Sequence, residues 1–102
     1  MFNRLLIIGC GLIGSSILRA ASSKKLSKKI FIYEKSNKNI SEVKKLKIPC
    51  QILKNLNKDI SNIDFVIMCT PMSEYHKIIP KLNAHLSSKS IITDVEIGRA
   101  HV

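Results

Sequence analysis

Residues 5–16 read LLIIGCGLIGSS, a short apolar run followed by three closely spaced glycines and then by helical spacing of apolar residues. A continuous apolar run is typical of a strand that is covered on both faces. Gly9 can form the tight turn out of this strand, Gly11 lets the backbone approach a pyrophosphate, and Gly14 allows close packing of helix on sheet. The N–H groups at the start of that helix would face the phosphates. The stretch therefore predicts a dinucleotide-binding turn.

An acidic residue at the end of the second predicted strand supports this interpretation. Glu34 lies twenty positions after Gly14, where an acidic side chain can accept hydrogen bonds from the hydroxyls of the adenosine ribose. Its charge would repel a 2′-phosphate, so NAD is favoured over NADP as the cofactor. Lys35 and Lys38 leave NADP open, because a cation just past the strand can hold the extra phosphate. The alternative for both lysines is a solvated turn.

The rest of the chain alternates between strand and helix patterns. Strands are predicted at residues 5–8, 30–33, 50–53, 64–69 and 90–95, with helices at 12–21, 40–46 and from a Ser73 cap to about 86. This order is typical of a doubly wound parallel sheet. Right-handed crossovers then predict an α/β, Rossmann-like fold with strand order 3-2-1-4-5.

Length and composition fit one globular domain. The chain has 102 residues, of which 45% are hydrophobic and 24% charged, values that argue against disorder and against a disulfide scaffold. The net charge of +10 could indicate a polyanion partner, but the lysines are spread out and their densest cluster, at 24–29, contains no aromatic residue to stack on bases. We therefore expect a solvated basic surface and no nucleic-acid partner.

The spacing of the cysteines and histidines bears on metal binding and redox state, and the apolar run at residues 5–18 bears on export. Three cysteines and three histidines are scattered at spacings that match no metal framework, so no metal site is predicted and the thiols are expected to be reduced and cytoplasmic. Residues 5–18 have the outline of a secretory signal, but the positive region before them is short and glycines interrupt them. They are also too few to span a membrane, so no membrane partner is expected.

Three motifs in order resemble a known family. The opening LLIIGCGLIGSS, Cys69-Thr70-Pro71 after the fourth strand and Thr93-Asp94-Val95 at the fifth are similar to the amino-terminal half of the prephenate/arogenate dehydrogenases. The resemblance covers residues 1–95, the expected NAD(P)-binding domain. It implies oxidative decarboxylation of a cyclohexadienyl acid in tyrosine biosynthesis, with hydride transfer to the nicotinamide, by a homodimeric full-length protein.

The resemblance also implies roles for individual residues. Residues around the glycine turn would hold the pyrophosphate, Glu34 the ribose, and two residues after the fourth strand would lie along the cofactor near its nicotinamide half. The pyrophosphate set is Gly9, Gly11, Leu12, Ile13 and Gly14, and the nicotinamide pair is Thr70 and Pro71.

The sequence departs from the family after Val95. Family members continue with Gly-Ser-x-Lys, then a Gly-His-Pro segment that carries the catalytic histidine, and then a helical domain that binds substrate and dimerises. Residues 96–102 instead read EIGRAHV, which can be back-translated into DNA containing a string that resembles a sequencing-library adapter. We therefore expect a non-native tail at 96–102, no catalytic residue in this chain, and no turnover by the chain alone.

Two other functions remain open from the sequence. A nucleotide-sensing regulatory module would use the same glycine turn and acidic residue without catalysis. Another reductase of this architecture could act on an imine or a keto acid. His76 and His85 are expected to be ordinary helix residues in all three cases.

Overall fold

The computed structural model describes residues 2–9, 11–57, 60–87 and 89–94, which form a five-stranded parallel sheet with helices on both faces. The strands are β1 (Phe2–Ile8), β2 (Ser27–Tyr33), β3 (Gln51–Leu53), β4 (Phe65–Met68) and β5 (Ile91–Asp94). The α-helices are α1 (Leu12–Ser23), α2 (Asn37–Lys45) and α3 (Tyr75–His85). The strand order β3-β2-β1-β4-β5 confirms the predicted Rossmann-like topology.

The central strand β1 is buried on both faces, as its apolar run predicts. Leu6 and Ile8 belong to a core cluster that includes Ile78 and Leu82 of α3. Their neighbours in β1, Leu5 and Ile7, belong to a second cluster with residues of α1 and α2. Alternate side chains of a strand point to opposite faces, so the sheet has a hydrophobic core on each side.

Strands β1 and β2 are longer than the apolar runs that predicted them. Both extend toward their amino-terminal ends through polar residues, where Arg4 is in register with Lys29 and Phe2 with Ser27. The backbone N–H of Asn3 also donates to Asp64 Oδ2 at 2.8 Å. Backbone pairing continues past the core because exposed strand ends can carry polar side chains.

The expected Ser73 cap of the last helix is wrong. A 3₁₀ turn over Met72–Glu74 precedes α3, and Glu74 is the residue at the N-cap position. The backbone N–H of Glu74 donates to the carbonyl of Pro71 at 2.9 Å, which closes this turn before the α-helix begins. The predicted tail, residues 96–102, and Val95 of the predicted fifth strand lie outside the described residues.

Candidate functional site

The glycine turn after β1 is fixed by its contacts with both neighbouring strands. Gly9 has φ +82°, a conformation that side chains other than hydrogen rarely adopt. Its N–H donates to the carbonyl of Tyr33 at the end of β2, at 2.7 Å. A Cβ at Gly9 would lie 2.6 Å from Thr70 Cγ2. Only glycine therefore fits between the ends of β2 and β4.

Gly11 leaves open space at the start of α1. It occupies the N-cap position and has no side chain to cap the helix, and a Cβ placed on it would meet no described atom within 4 Å. The first N–H groups of any α-helix lack partners within the helix and carry a partial positive charge. Gly11 thus leaves room for an anion to reach the N–H groups of residues 12–14, which include predicted site residues Leu12 and Ile13.

The predicted ribose-binding residue, Glu34, lies directly after β2 and is oriented by α2. Its Oε2 accepts from the backbone N–H of Ser36 at 3.0 Å, and its Oε1 accepts from Asn39 Nδ2 at 3.3 Å. Ser36 in turn caps α2, because its Oγ accepts from the backbone N–H of Asn39 at 3.3 Å. The carboxylate is therefore oriented by two hydrogen bonds from the start of α2.

Thr70 presents a buried hydroxyl at the end of β4. Its Oγ1 has no hydrogen-bond partner in the part of the chain that the structure describes, although the atom is buried. Buried hydroxyls normally have a partner, so this atom fits a site where a bound ligand supplies one. The next predicted site residue, Pro71, is exposed beside it. The structure thus places the two residues of the predicted nicotinamide pair at the same sheet edge as Gly9 and Glu34.

The remaining predicted cofactor-binding residues lie beside this edge of the sheet. Gly14 is buried in α1, Ile13 is 57% exposed although apolar, and Lys35 is exposed just after Glu34. His76 is exposed on α3 and His85 is half-buried there.

Sequence reasoning missed two residues of this region. Asn39 holds Glu34 through a hydrogen bond that the sequence does not indicate. Arg19 lines a cavity between α1 and α2 together with Gly11. A signal for Arg19 was present, because residues 11, 15 and 19 are four apart and share one face of a helix.

Neither Cys50 nor Cys69 forms a disulfide, and burial raises the pKa of the Cys50 thiol. Among the residues described, no three histidine, cysteine or acidic side chains come together as a metal site. No helix within those ranges combines the length and hydropathy needed to cross a membrane.

The fold and the glycine turn define a nucleotide-binding domain of the Rossmann type. A family model described as NADP oxidoreductase, coenzyme F420-dependent, matches residues 4–98, and the chain belongs to this family. It is therefore an NAD(P)-binding domain of oxidoreductase type. Comparison with curated proteins gives no match.

Solved structures share the fold at low sequence identity. Prephenate dehydrogenase from A. aeolicus, in complex with hydroxyphenyl propionate and NAD+, is 28% identical with a TM-score of 0.81, covering 92% of this chain and 33% of that one. Synechocystis arogenate dehydrogenase is 22% identical with a TM-score of 0.73 over 90% and 32% of the two chains. Lactate dehydrogenase from Eimeria maxima, with NADH and oxamate, is 11% identical with a TM-score of 0.69 over 92% and 36%.

These comparisons support the resemblance predicted from the sequence for the nucleotide-binding part. The chain spans about a third of the length of each of these structures.

Proposed function

We propose that residues 1–95 are the amino-terminal NAD(P)-binding domain of a prephenate or arogenate dehydrogenase. The observation that carries the proposal is the contact between Gly9 and Thr70. It joins the glycine turn and the Cys-Thr-Pro motif, two of the three motifs of the resemblance, at one edge of the sheet. The 28% identity to the A. aeolicus prephenate dehydrogenase supports the same assignment.

The predicted cofactor-binding residues have the following proposed roles in this domain. The N–H groups at the start of α1 hold the pyrophosphate, which Gly9, Gly11 and Gly14 allow to approach. Glu34 accepts hydrogen bonds from the ribose hydroxyls, and Lys35 lies within the same turn. Thr70 and Pro71 line the nicotinamide half, where the buried Thr70 hydroxyl can find its missing partner.

The proposed reaction requires groups beyond the described residues. A bound NAD(P) would supply the hydride acceptor for the oxidative decarboxylation that the resemblance implies, and the residues around the glycine turn, with Glu34, Thr70 and Pro71, would hold it. The chain's own residues bind and orient the dinucleotide for this step. A substrate domain must hold the cyclohexadienyl acid against the nicotinamide, and we propose that the full protein is a homodimer, as the resemblance implies. Neither Cys50 nor Cys69 forms a disulfide, which suits a proposed cytoplasmic location.

The test is an assay of the protein encoded at the native locus, read as DNA past the codon for Asp94. We expect Gly-Ser-x-Lys in place of residues 96–102 and a Gly-His-Pro segment downstream. The purified protein should release carbon dioxide and reduce NAD(P) with prephenate or arogenate. Turnover of a keto acid or an imine instead would favour another reductase, and dinucleotide binding without any turnover would favour a regulatory module.

A further inference from the structure

The side chain of Glu34 must point in one direction to bind a ribose. A glutamate side chain has several rotatable bonds, and Glu34 lies between the end of β2 and the start of α2, where it is half-buried. Ordering such a side chain at the moment of binding reduces affinity. A residue that orients Glu34 in the free chain should therefore strengthen binding at the proposed ribose position.

Two donors from the start of α2 orient the Glu34 carboxylate. The backbone N–H of Ser36 donates to Oε2 at 3.0 Å, and Asn39 Nδ2 donates to Oε1 at 3.3 Å. One donor on each oxygen restricts the rotation of the carboxylate group. A carboxylate has about four acceptor positions, so these two bonds do not exhaust its capacity to accept from ribose hydroxyls.

The position of Asn39 in α2 does not depend on its side chain. Its backbone N–H donates to Oγ of the cap residue Ser36 at 3.3 Å, and the backbone N–H of Ile40 donates to the Ser36 carbonyl at 3.0 Å. Both bonds use backbone donors of α2, so they are kept when the side chain at position 39 is changed. Substitutions of Asn39 can therefore test the orientation of Glu34 without removing the cap of α2.

We propose that Asn39 is a positioning residue for the dinucleotide, which holds the Glu34 carboxylate toward the ribose and so strengthens NAD binding. The inference rests on the NAD(P) site and deepens it, because it assigns a role to a residue of α2 that acts through Glu34.

Asn39→Asp separates this role from a purely structural role in α2. An acidic residue in the first turn of a helix favours the helix, so a structural role predicts no loss. The new carboxylate would, however, face Glu34 with a like charge in place of the amide donor, and like charges at this distance repel. A positioning role therefore predicts weaker NAD binding in a chain whose α2 is not destabilised.

The experiment is calorimetric titration of the 102-residue chain and its variants with NAD, with chemical denaturation to show that each is folded. Asn39→Ala should weaken NAD binding by about two- to tenfold, the cost of immobilising a freed side chain, and Asn39→Asp should weaken it at least as much. Asn37→Ala and Asn37→Asp are the matched controls, because Asn37 is an exposed asparagine at the first position of the same helix. Both controls should bind NAD nearly as tightly as the parent chain.

A double-substitution cycle tests whether Asn39 acts through Glu34. In the Glu34→Ala background, Asn39→Ala should cause no further loss of NAD affinity. Parent-like NAD binding by either Asn39 variant, an equal loss in Asn37→Asp and Asn39→Asp, or losses that add in the double variant would overturn the positioning role and leave the nucleotide site standing. If the folded parent chain binds no NAD, the nucleotide site itself is wrong.

Discussion

At Gly9 the chain leaves β1 in a left-handed conformation, pressed against the side chain of Thr70. Gly9→Ala should destabilise the fold by about 1–3 kcal/mol from backbone strain alone, with a further loss from the 2.6 Å contact with Thr70 Cγ2. Chemical denaturation of the variant and of the parent chain measures this difference. An unchanged unfolding midpoint would contradict the geometry of the turn.

Gly11→Ala is the matched variant two residues further along the chain. We expect it to lose dinucleotide binding without the loss of stability expected for Gly9→Ala. Gly11 has a negative φ of −77°, outside the left-handed region that favours glycine, and a Cβ on it would meet no described atom within 4 Å. Its free energy of unfolding should change less than that of Gly9→Ala, while dinucleotide binding should be lost because the new methyl group occupies the approach of the pyrophosphate. Unimpaired binding by Gly11→Ala would mean that the pyrophosphate lies elsewhere.

The tight turn at Gly9 could be predicted from the sequence because the backbone requirement of such a turn is local. It could not predict the contact of Gly9 with Thr70 or the bond of Asn39 to Glu34. The first joins residues that are 61 positions apart, and the second depends on how α2 is placed against the end of β2.

Among the helices, α3 contains a residue that opposes helix formation. Pro80 lies inside α3 and is exposed. Proline lacks an N–H, and its ring crowds the carbonyl four residues earlier, that of His76. Pro80→Ala should therefore raise the free energy of unfolding, by up to about 3 kcal/mol. Asn83→Ala, an exposed control on the same helix, should have a smaller effect. A destabilised Pro80→Ala would show that the proline ring makes contacts that the helix needs.

The types and order of the strands and helices were predictable because apolar periodicity reflects burial on a sheet or helix. The residues at which they begin and end were less predictable. The polar starts of β1 and β2 lie in register with each other without an apolar pattern, and the 3₁₀ turn before α3 is closed by the Pro71 carbonyl rather than by a capping side chain. The connection from β3 to β4 carried no periodic signal, yet it contributes buried Leu56, Ile60 and Ile63 to the core.

The edge strand β5 of the sheet exposes apolar surface. Ile91 is 54% exposed and Ile92 is 39% exposed, on opposite faces of the strand. We expect the 102-residue chain to self-associate in light scattering, because an exposed apolar edge strand favours pairing with another chain. Ile91→Lys combined with Ile92→Lys should reduce that association. A monodisperse monomer at high concentration of the parent chain would count against this prediction.

Calorimetric titration of the parent chain and of Glu34→Ala with NAD tests whether the glycine turn and Glu34 form an NAD(P) site. We expect the parent chain to bind NAD and Glu34→Ala to bind it about tenfold more weakly, through loss of charge-assisted hydrogen bonds to the ribose. A folded parent chain that binds no NAD, or a variant that binds it as tightly as the parent, would contradict this site.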